Sequence, residues 1–293
     1  MRVLVSGGTG LVGRYIVEGL LSAGYAVTVG ARKPPPAGFF SQPADFRPLH
    51  LDPKLNQSGT FEGIDALIHA AFDHLPGKYR GGEGKDPKRF RRLNLDGSVK
   101  LFETAKKAGV QRTVFLSSRA VYDGLEISTV LTEDLALSPT SLYGEIKLAC
   151  EHALSTLSGQ DFVTASLRAT GIYGEFRPNK WDDLIADTFI GKPVAPRAGT
   201  EVHGADVAQA VQLMLTMDAS SISAQSFNIS DVTVDTRIIL ERLGLSAQLV
   251  AFAALSANAM STEKIRRMGW RPGGMRRFDE TMAILARQIE DDH

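Results

Sequence analysis

The sequence has few of the features that mark secreted, membrane or nucleic-acid-binding proteins. Its 293 residues include one cysteine, Cys150, which excludes an internal disulfide and any cysteine-based metal site. Basic and acidic residues number 33 each, so the net charge gives no reason to expect a nucleic-acid partner. No apolar run approaches the roughly 18 residues that cross a bilayer, and Met1–Ser6 lacks the features of a signal peptide. We therefore expect a cytoplasmic protein with no membrane, nucleic-acid or metal partner.

Short apolar runs alternate with helical patterns through the first half of the chain. Several runs are apolar almost throughout, as in strands that are covered on both faces. One helical stripe contains Leu101, Ala105 and Ala108, and its helix is predicted to end at Gly109. Such a β-α-β alternation predicts an α/β fold with a Rossmann-type, doubly wound parallel sheet. The predicted strands are Arg2–Val5, Ala26–Val29, Phe46–Leu51, Asp65–His69, Thr113–Leu116 and Phe162–Leu167.

The pattern becomes less regular in the second half, which predicts a smaller C-terminal substrate-binding lobe. We assign residues 1–174 to a dinucleotide-binding Rossmann domain and residues 175–203 with 225–293 to the lobe. Residues 204–224 are expected to rejoin the main domain, because they contain a predicted helix, Ala205–Thr216, that is able to fold back on the sheet.

A glycine-rich turn follows the first predicted strand and opens the first predicted helix. Its three glycines have the spacing of a dinucleotide-binding loop. The first allows a sharp turn, the second lets the backbone approach a pyrophosphate, and the third lets helix and strand pack closely. The N-terminus of the helix offers free N–H groups to the phosphates. A purely conformational role for the turn is the alternative. The predicted cofactor-binding residues of this loop are Gly7, Thr9, Gly10, Leu11, Val12 and Gly13.

The end of the second predicted strand bears on the choice between NAD and NADP. An acidic residue there would bond both ribose hydroxyls of NAD, but Val29–Lys33 contains none. Two cations, Arg32 and Lys33, stand there instead, and a guanidinium binds phosphate bidentately. The sequence therefore favours NADP, with Arg32 as the main ligand of the 2′-phosphate. The alternative is NAD, with two solvated loop cations.

Asp52 follows the third predicted strand, and two interpretations of it stay open. Its carboxylate is able to accept a hydrogen bond from the adenine amino group of the cofactor. Alternatively, it starts the turn at Asp52-Pro53, as aspartate often does.

A tyrosine and a lysine four residues apart, Tyr143 and Lys147, share one face of a predicted helix. An ammonium one turn away favours the phenolate, so the tyrosine pKa, normally about 10, can fall toward neutrality. The phenol then serves as a proton shuttle at an alcohol or carbonyl oxygen, and the same ammonium is able to hold the nicotinamide ribose. Ser118 follows a predicted strand at the carboxyl edge of the sheet, where its hydroxyl can bond the reacting oxygen. An ordinary helix and an ordinary turn are the alternatives.

These motifs together resemble those of the extended short-chain dehydrogenases/reductases in the NAD-dependent epimerase/dehydratase family. The glycine loop, Ser118, Tyr143 and Lys147 match the family in order and spacing. The resemblance implies that Tyr143 is the acid/base, that Lys147 tunes its pKa and anchors the ribose, and that Ser118 donates to the substrate oxygen. The nicotinamide would give or take the hydride.

The resemblance extends nearly from end to end of the chain. The further matching segments are His69–Ala71 beside the cofactor, Asn94–Gly97 with an active-site asparagine, Val202–Ala208 in the substrate lobe and Thr262–Pro272, a C-terminal signature. It implies that Ala70 and Ala71 contact the cofactor and that Asn94 belongs to the catalytic set. We leave His69 and His203 out of the chemistry, the first as a residue of a buried strand and the second as a packing residue.

The activity that the resemblance implies is NAD(P)-dependent hydride transfer at a hydroxyl or keto carbon of a small polar substrate, with a sugar or sugar derivative as the family's suggestion. One alternative is a nucleotide-sugar 4-epimerase or dehydratase, and another is a non-catalytic NAD(P)-sensing regulator. A regulator has no need of Ser118, Tyr143 and Lys147 together. The resemblance also leaves a homodimer open.

Two departures from the family pattern disfavour a nucleotide-sugar substrate. Gly171 stands where such members commonly carry an asparagine, and Gly199–Glu201 replaces a stretch that tends to contain arginine. Cations that remain as candidate anion contacts are Arg168, Arg177, Lys180 and Arg197, although surface cations are usually only solvated.

Overall fold

A computed structural model describes residues 1–75, 78, 80–126, 128–245 and 257–291 of the protein. The strands are β1 (Arg2–Ser6), β2 (Ala26–Ala31), β3 (Asp45–Pro48), β4 (Ala66–His69), β5 (Arg112–Ser118), β6 (Val163–Ala169), β7 (Gly171–Tyr173), β8 (Ala198–His203), β9 (Gln225–Ile229) and β10 (Val232–Asp235). The α-helices are α1 (Leu11–Ser22), α2 (Pro87–Arg91), α3 (Gly97–Lys107), α4 (Leu142–Leu157), α5 (Asp182–Phe189), α6 (Gly204–Thr216), α7 (Ala219–Ile222), α8 (Thr236–Arg242), α9 (Glu263–Arg267) and α10 (Gly274–Asp291).

The main sheet is parallel and confirms the predicted Rossmann-type fold class. Its strand order is β3-β2-β1-β4-β5-β6-β9. Every residue of β4 and β6 is buried, because helices cover both faces of the sheet. The chain order reverses between β1 and β4, and ligands of such sheets bind beyond the carboxyl ends of the strands at that point. The fold therefore brings the glycine turn after β1 and the serine at the end of β5 to the same edge.

The third strand differs from its prediction, which ran over Phe46–Leu51. The strand register with β2 ends at Pro48, and beyond it only Leu49 N still donates to β2, to the carbonyl of Ala31 at 3.0 Å. The backbone of His50 instead exchanges hydrogen bonds with the side-chain amide of Gln57, at 2.7 and 2.9 Å. The apolar pattern at positions 49–51 could not reveal this competition between a side chain and the strand ladder.

A second, three-stranded sheet lies in the C-terminal part of the chain, in the order β10-β8-β7. Its apolar side packs in a cluster that includes Tyr173, Trp181 and Phe278. Two boundaries differ from the predicted division into main domain and lobe. β9 was assigned to the lobe but pairs with β6 in the main sheet, whereas β7 was assigned to the main domain but pairs with β8. Residues 246–256 and 292–293 of the predicted lobe lie outside the described residues.

The helix α6 packs against α1 of the main sheet's helical layer. Gln212 Nε2 donates to the carbonyl of Gly19 on α1 at 2.8 Å. A Cβ atom at Gly19 would come within 2.7 Å of Ala208 Cβ, so glycine at this position lets the two helices touch. The α1–α6 contact thus joins the segment after the small sheet to the helix that follows the glycine turn.

The side chain of Tyr15, on α1, packs against and hydrogen-bonds to the C-terminal part of the chain. Its ring fills the space where Cβ atoms of Gly174 and Gly204 would otherwise lie. Its hydroxyl donates to Glu175 at 3.1 Å, and that carboxylate also contacts His203 Nε2 at 3.0 Å. His203 Nδ1 accepts from Ala205 N and so caps α6, which confirms His203 as a packing residue.

Candidate active site at the carboxyl edge of the sheet

The glycine turn between β1 and α1 has the backbone geometry of a ligand-binding loop. Gly7 has φ +70°, and a Cβ atom there would lie 2.7 Å from the Cα of Ala71. A Cβ atom at Gly13 would overlap the carbonyl oxygen of Gly7. Gly10 caps α1 without a side-chain hydrogen bond, and no acidic residue occupies the first turn. The first N–H groups of α1 are therefore free to meet an anion.

Gly10 and Gly13 separate the binding role of this turn from its folding role. We expect Gly13→Ala to destabilise the protein by about 2 kcal/mol or more, because the added methyl group meets backbone. A Cβ atom at Gly10 meets only the Gly7 carbonyl, at 3.3 Å. Gly10→Ala is therefore expected to weaken dinucleotide binding at least tenfold while changing the unfolding free energy by less than about 1 kcal/mol. Urea unfolding and cofactor titration of both variants test this, and unchanged affinity in Gly10→Ala would contradict it.

The polar residues predicted for the adenosine end of the cofactor lie at the ends of β2 and β3. Arg32 and Lys33 are exposed and directly follow β2. Asp52 accepts from Lys54 N at 3.2 Å and from Arg92 Nη1 at 2.9 Å. The hydrogen bond from Lys54 and the nearby Arg92 lower the pKa of Asp52. These contacts favour the turn interpretation of Asp52, and contact with adenine stays a prediction.

His69 lies at the centre of a buried hydrogen-bond chain that fixes the turn beside Gly7. Its Nδ1 is 2.6 Å from Ser6 Oγ, and its Nε2 is 2.8 Å from Ser98 Oγ. Ser98 donates onward to the carbonyl of Asn94 at 2.6 Å, so it accepts from Nε2–H of His69. Burial lowers the pKa of His69 to about 3, which keeps the ring neutral. His69 is thus a structural residue, as the sequence predicted.

Asn94, predicted as a catalytic residue, uses its side chain to hold the loop after β4. Its Oδ1 accepts from Asp73 N at 2.6 Å, and its Nδ2 donates to Asp73 O at 2.7 Å. Asn94 is buried in a π-helical stretch, Arg92–Asp96, between α2 and α3. These bonds give Asn94 a positioning role in the described structure, and its catalytic role stays a prediction.

Lys147 is a buried cation on α4, one turn from Tyr143. Its Nζ donates to the carbonyl of Leu116 at 2.6 Å and lies 4.7 and 4.6 Å from the ring centres of Phe72 and Phe115. The same Nζ lies 5.8 Å from the ring centre of Tyr143. Burial lowers the pKa of Lys147 to about 8, so the ammonium form still predominates at neutral pH. The predicted Tyr143–Lys147 pair therefore shares one side of the helix.

Lys147→Met is expected to stabilise the protein while removing this charge. A folded-state pKa of about 8 against about 10.4 for free lysine disfavours the buried ammonium by roughly 3 kcal/mol. Between these two pH values the native lysine loses its proton before the unfolded one, so the wild type gains stability as pH rises. The advantage of Lys147→Met should thus be largest below pH 8 and shrink toward about pH 10.4. Urea unfolding across pH 7 to ~10.4 measures this, with exposed Lys107→Met as the control. A pH-independent difference would contradict it.

The helix α4, which carries Tyr143, packs closely on the turn Arg119–Tyr122, which directly follows Ser118. A Cβ atom at Gly144 would overlap the carbonyl oxygen of Ala120, so glycine next to Tyr143 permits this approach. Ser141 caps α4 by accepting from Gly144 N at 3.1 Å. Ser118 Oγ accepts from Ala120 N at 3.1 Å, and within the described ranges it makes no other hydrogen bond. Its hydroxyl proton is therefore available for a ligand.

A buried ion pair behind Ser118 was not predicted. Glu151 on α4 and Arg168 on β6 are each about 5% exposed, and Arg168 Nη2 donates to Glu151 Oε2 at 2.8 Å. Glu151 also accepts from the hydroxyl of Ser117, the neighbour of Ser118. Arg168 Nη1 donates to the hydroxyl of Tyr122 at 2.8 Å. Arg168, proposed from the sequence as an anion contact, is thus saturated by protein groups.

Gly171 departs from the family pattern, and the structure gives a physical reason for the glycine. A Cβ atom there would overlap both Lys180 Nζ and the carboxylate of Glu201, which form an ion pair. Glu201 is buried, and burial lowers the pKa of Lys180. Lys180 is therefore engaged by the protein, and an asparagine at 171 would displace this pair.

The described residues contain no helix that is long and apolar enough to span a membrane. Within the same ranges, no cluster of three or more His, Cys, Asp or Glu side chains is arranged to hold a metal ion.

The geometry of this edge agrees with a family assignment. A model of the NAD dependent epimerase/dehydratase family matches residues 3–230. The chain belongs to this family. Among family relatives, sterol-4-alpha-carboxylate 3-dehydrogenase, decarboxylating, of Homo sapiens is 31% identical over 196 residues, which are 65% of this chain and 50% of that protein. UDP-glucose 4-epimerase of Lacticaseibacillus casei is 31% identical over 224 residues, 70% of this chain and 64% of that protein. This family member thus spans about half the length of the human sterol enzyme that it matches.

Solved structures show the same fold over the whole chain. MoeE5 in complex with UDP-glucuronic acid and NAD has a TM-score of 0.79 at 24% identity, covering 100% of both chains. UDP-glucose 4-epimerase of Thermus thermophilus in complex with NAD has a TM-score of 0.78 at 24% identity, covering 99% of both chains. At this identity the likeness extends to the fold alone.

Proposed function

We propose that this family member is an NAD(P)-dependent oxidoreductase or epimerase that moves a hydride on or off a hydroxyl or keto carbon of a small polar compound. The observation that carries the proposal is the buried ammonium of Lys147, 5.8 Å from the ring centre of Tyr143. A purely structural helix gains nothing from a buried lysine, because burial disfavours its charge. The C-terminal sheet and its helices serve as the substrate-binding lobe in this proposal.

A dinucleotide fits the residues of the glycine turn. Gly7 and Gly13 have no room for side chains, but Gly10 has little around it, so its lack of a side chain is best explained by an approaching ligand. The N-terminus of α1 and residues Thr9 to Val12 would hold the pyrophosphate, and Ala70 and Ala71 would line the turn. When bound, the nicotinamide supplies or accepts the hydride.

The chain's own groups handle the proton. In the proposed reaction Tyr143 gives a proton to, or takes one from, the substrate oxygen. The ammonium of Lys147 favours the phenolate by its charge and is held in place by the carbonyl of Leu116. Ser118 donates its free hydroxyl proton to the same substrate oxygen, which orients it and polarises the bond to carbon. The relatives named above include a dehydrogenase and an epimerase, which supports hydride transfer. Both net oxidation or reduction and epimerisation therefore stay open as the result of that transfer.

NADP is the proposed cofactor, although the neighbouring structures named above contain NAD. The exposed cations Arg32 and Lys33 directly follow β2, and no carboxylate stands at that strand end to favour NAD. We expect Arg32→Ala to weaken NADPH binding roughly tenfold and to leave NADH binding nearly unchanged, because only NADPH carries the 2′-phosphate. Fluorescence titration with both cofactors is the measurement. An equal effect on both would assign Arg32 another role.

A nucleotide-sugar 4-epimerase is the alternative, supported by the names of several relatives. The Lys180–Glu201 pair beside Gly171 argues against it, since that pair occupies the volume an asparagine would need. Calorimetric titration with UDP distinguishes the two. Micromolar binding of UDP favours the epimerase, and absence of binding favours a smaller substrate.

The activity itself is tested by incubating the protein with NADP or NAD and a panel of aldoses, uronic acids and hydroxy acids. Nicotinamide absorbance reports net oxidation, and nuclear magnetic resonance of the compounds reports epimerisation. Turnover of any compound that depends on Tyr143 supports the proposal. Cofactor binding with no chemistry across the panel would favour a non-catalytic NAD(P)-sensing regulator.

A cytoplasmic location is part of the proposed function. Sedimentation equilibrium measures whether the protein is a homodimer.

A further inference from the structure

Arg119 immediately follows Ser118, and among the described residues its guanidinium has no hydrogen-bond or ion-pair partner. It lies in the turn Arg119–Tyr122 at the carboxyl end of β5. Its Nε is buried and has no hydrogen-bond partner, and across the described ranges its guanidinium forms no ion pair. A buried N–H donor without a partner is unfavourable, so the unsatisfied Nε of Arg119 calls for an explanation, and a bound ligand is one.

The carboxylate that acts on Arg119 is already occupied. Asp123 accepts from Nε and Nη2 of Arg80, both at 2.7 Å, in a bidentate pair. It also accepts from the hydroxyl of Ser141, at 2.8 Å. Three donors therefore converge on Asp123, and it is not paired with Arg119.

The charges around Arg119 leave an excess of positive charge. Burial lowers the pKa of Arg119, and the charge of Arg80 lowers it further. Asp123 raises this pKa, and Arg197 lowers it again. Arg197 directly precedes β8 of the small sheet, so Arg119 is within electrostatic range of both the main-sheet edge and the lobe.

The cofactor does not explain this excess of positive charge. Its phosphates are assigned to the glycine turn after β1, and β4 separates β1 from β5 in the sheet. Other cations of the region are neutralised, since Arg168 pairs with Glu151 and Lys180 with Glu201. In the described part of the chain, Arg119 is thus a cation without a protein partner directly next to Ser118.

We propose that Arg119 binds an oxyanion group of the substrate, a carboxylate or a phosphate, close to the carbon that reacts beside Ser118. This inference rests on the proposed function and narrows its substrate class to anionic hydroxyl or keto compounds. A guanidinium suits both groups, because its paired N–H donors match two oxygen atoms of either one.

The test is isothermal titration of the protein with three probes that share a hexose ring: glucose, glucuronate and glucose 6-phosphate. We expect at least one of the two anions to bind tenfold or more tightly than glucose, and the tighter anion identifies the group. Arg119→Gln should weaken that binding roughly 10- to 100-fold, the range for a charge-assisted contact. The control is Arg267→Gln, whose side chain is 78% exposed on α9, and it should bind like the wild type.

Several outcomes would overturn the proposal. Neither anion binding more tightly than glucose is one, and absence of binding by all three probes is another. Unchanged anion affinity in Arg119→Gln is a third. Because the substitution Arg119→Gln breaks no described contact within the protein, the unfolding midpoint of the variant should not fall below that of the wild type. A clear loss of stability would instead assign Arg119 to the fold and contradict the proposal.

The two levels of the proposal fail in different ways. NADPH and NADH titrations on the same samples report on the proposed function, since Arg119 follows β5 and β4 separates β5 from the strand that leads into the glycine turn. Cofactor binding with no anion preference refutes the role of Arg119 alone. If the wild-type protein binds neither NADPH nor NADH, the proposed function is refuted, whatever the result of the anion titrations.

Discussion

Tyr143→Phe is expected to lower turnover about 1000-fold, the range lost when a general acid/base is removed. The variant keeps the aromatic ring, which packs edge-on against Phe72 with ring centres 5.0 Å apart. Cofactor affinity and stability should therefore change little. The measurement is kcat on any compound that the wild type turns over, together with a cofactor titration.

The matched control is Tyr25→Phe, a partly buried tyrosine that follows α1, away from Ser118 and Lys147. It loses the same hydroxyl group and should keep wild-type turnover. If Tyr143→Phe kept full activity, the assignment of Tyr143 as the acid/base would be wrong. If both variants lost activity, the effect could not be assigned to the position of Tyr143.

Arg168→Met is expected to destabilise the protein by about 3–5 kcal/mol, because it leaves Glu151 charged and buried without its cation. Both side chains are nearly inaccessible, at 6% and 4% exposure, and the network also holds Ser117 and Tyr122. Replacing both partners, Arg168→Met with Glu151→Met, should recover part of the loss, because no unpaired charge remains. Urea unfolding of the single and double variants measures the two effects.

The control for this pair is Arg267→Met. Arg267 and Glu263 form an ion pair in which both side chains are more than 70% exposed. Its loss should change the unfolding free energy by less than about 1 kcal/mol. A loss below about 1 kcal/mol in Arg168→Met as well would show that the buried pair has little energetic importance.

The main-sheet architecture was predictable because its strands are apolar on both faces and its helices have one apolar stripe. The glycine turn, Ser118, Tyr143 and Lys147 were predictable for a similar reason, since each uses a short local motif. The end of β3 could not be predicted in this way. The backbone of His50 bonds to the side chain of Gln57 rather than to a neighbouring strand, and the apolar pattern does not encode which of these partners it takes.

The ion pairs between residues that are far apart in the chain could not be predicted from the sequence either. From the sequence, Arg168, Lys180 and Arg197 were equally good candidates for binding an anion. In the fold, however, Arg168 pairs with Glu151 and Lys180 pairs with Glu201. Arg119 was not selected at all. Its importance depends on the engagement of Asp123 by Arg80 and Ser141, which only the three-dimensional arrangement reveals.

In the proposed function, the glycine turn holds a nicotinamide dinucleotide beside Tyr143 and Lys147. Fluorescence titration of the purified protein with NADPH and with NADH tests it most directly. We expect saturable binding of at least one cofactor, tighter for NADPH, and weakened at least tenfold in Gly10→Ala without loss of stability. Absence of binding by both cofactors in a folded wild-type protein would contradict it.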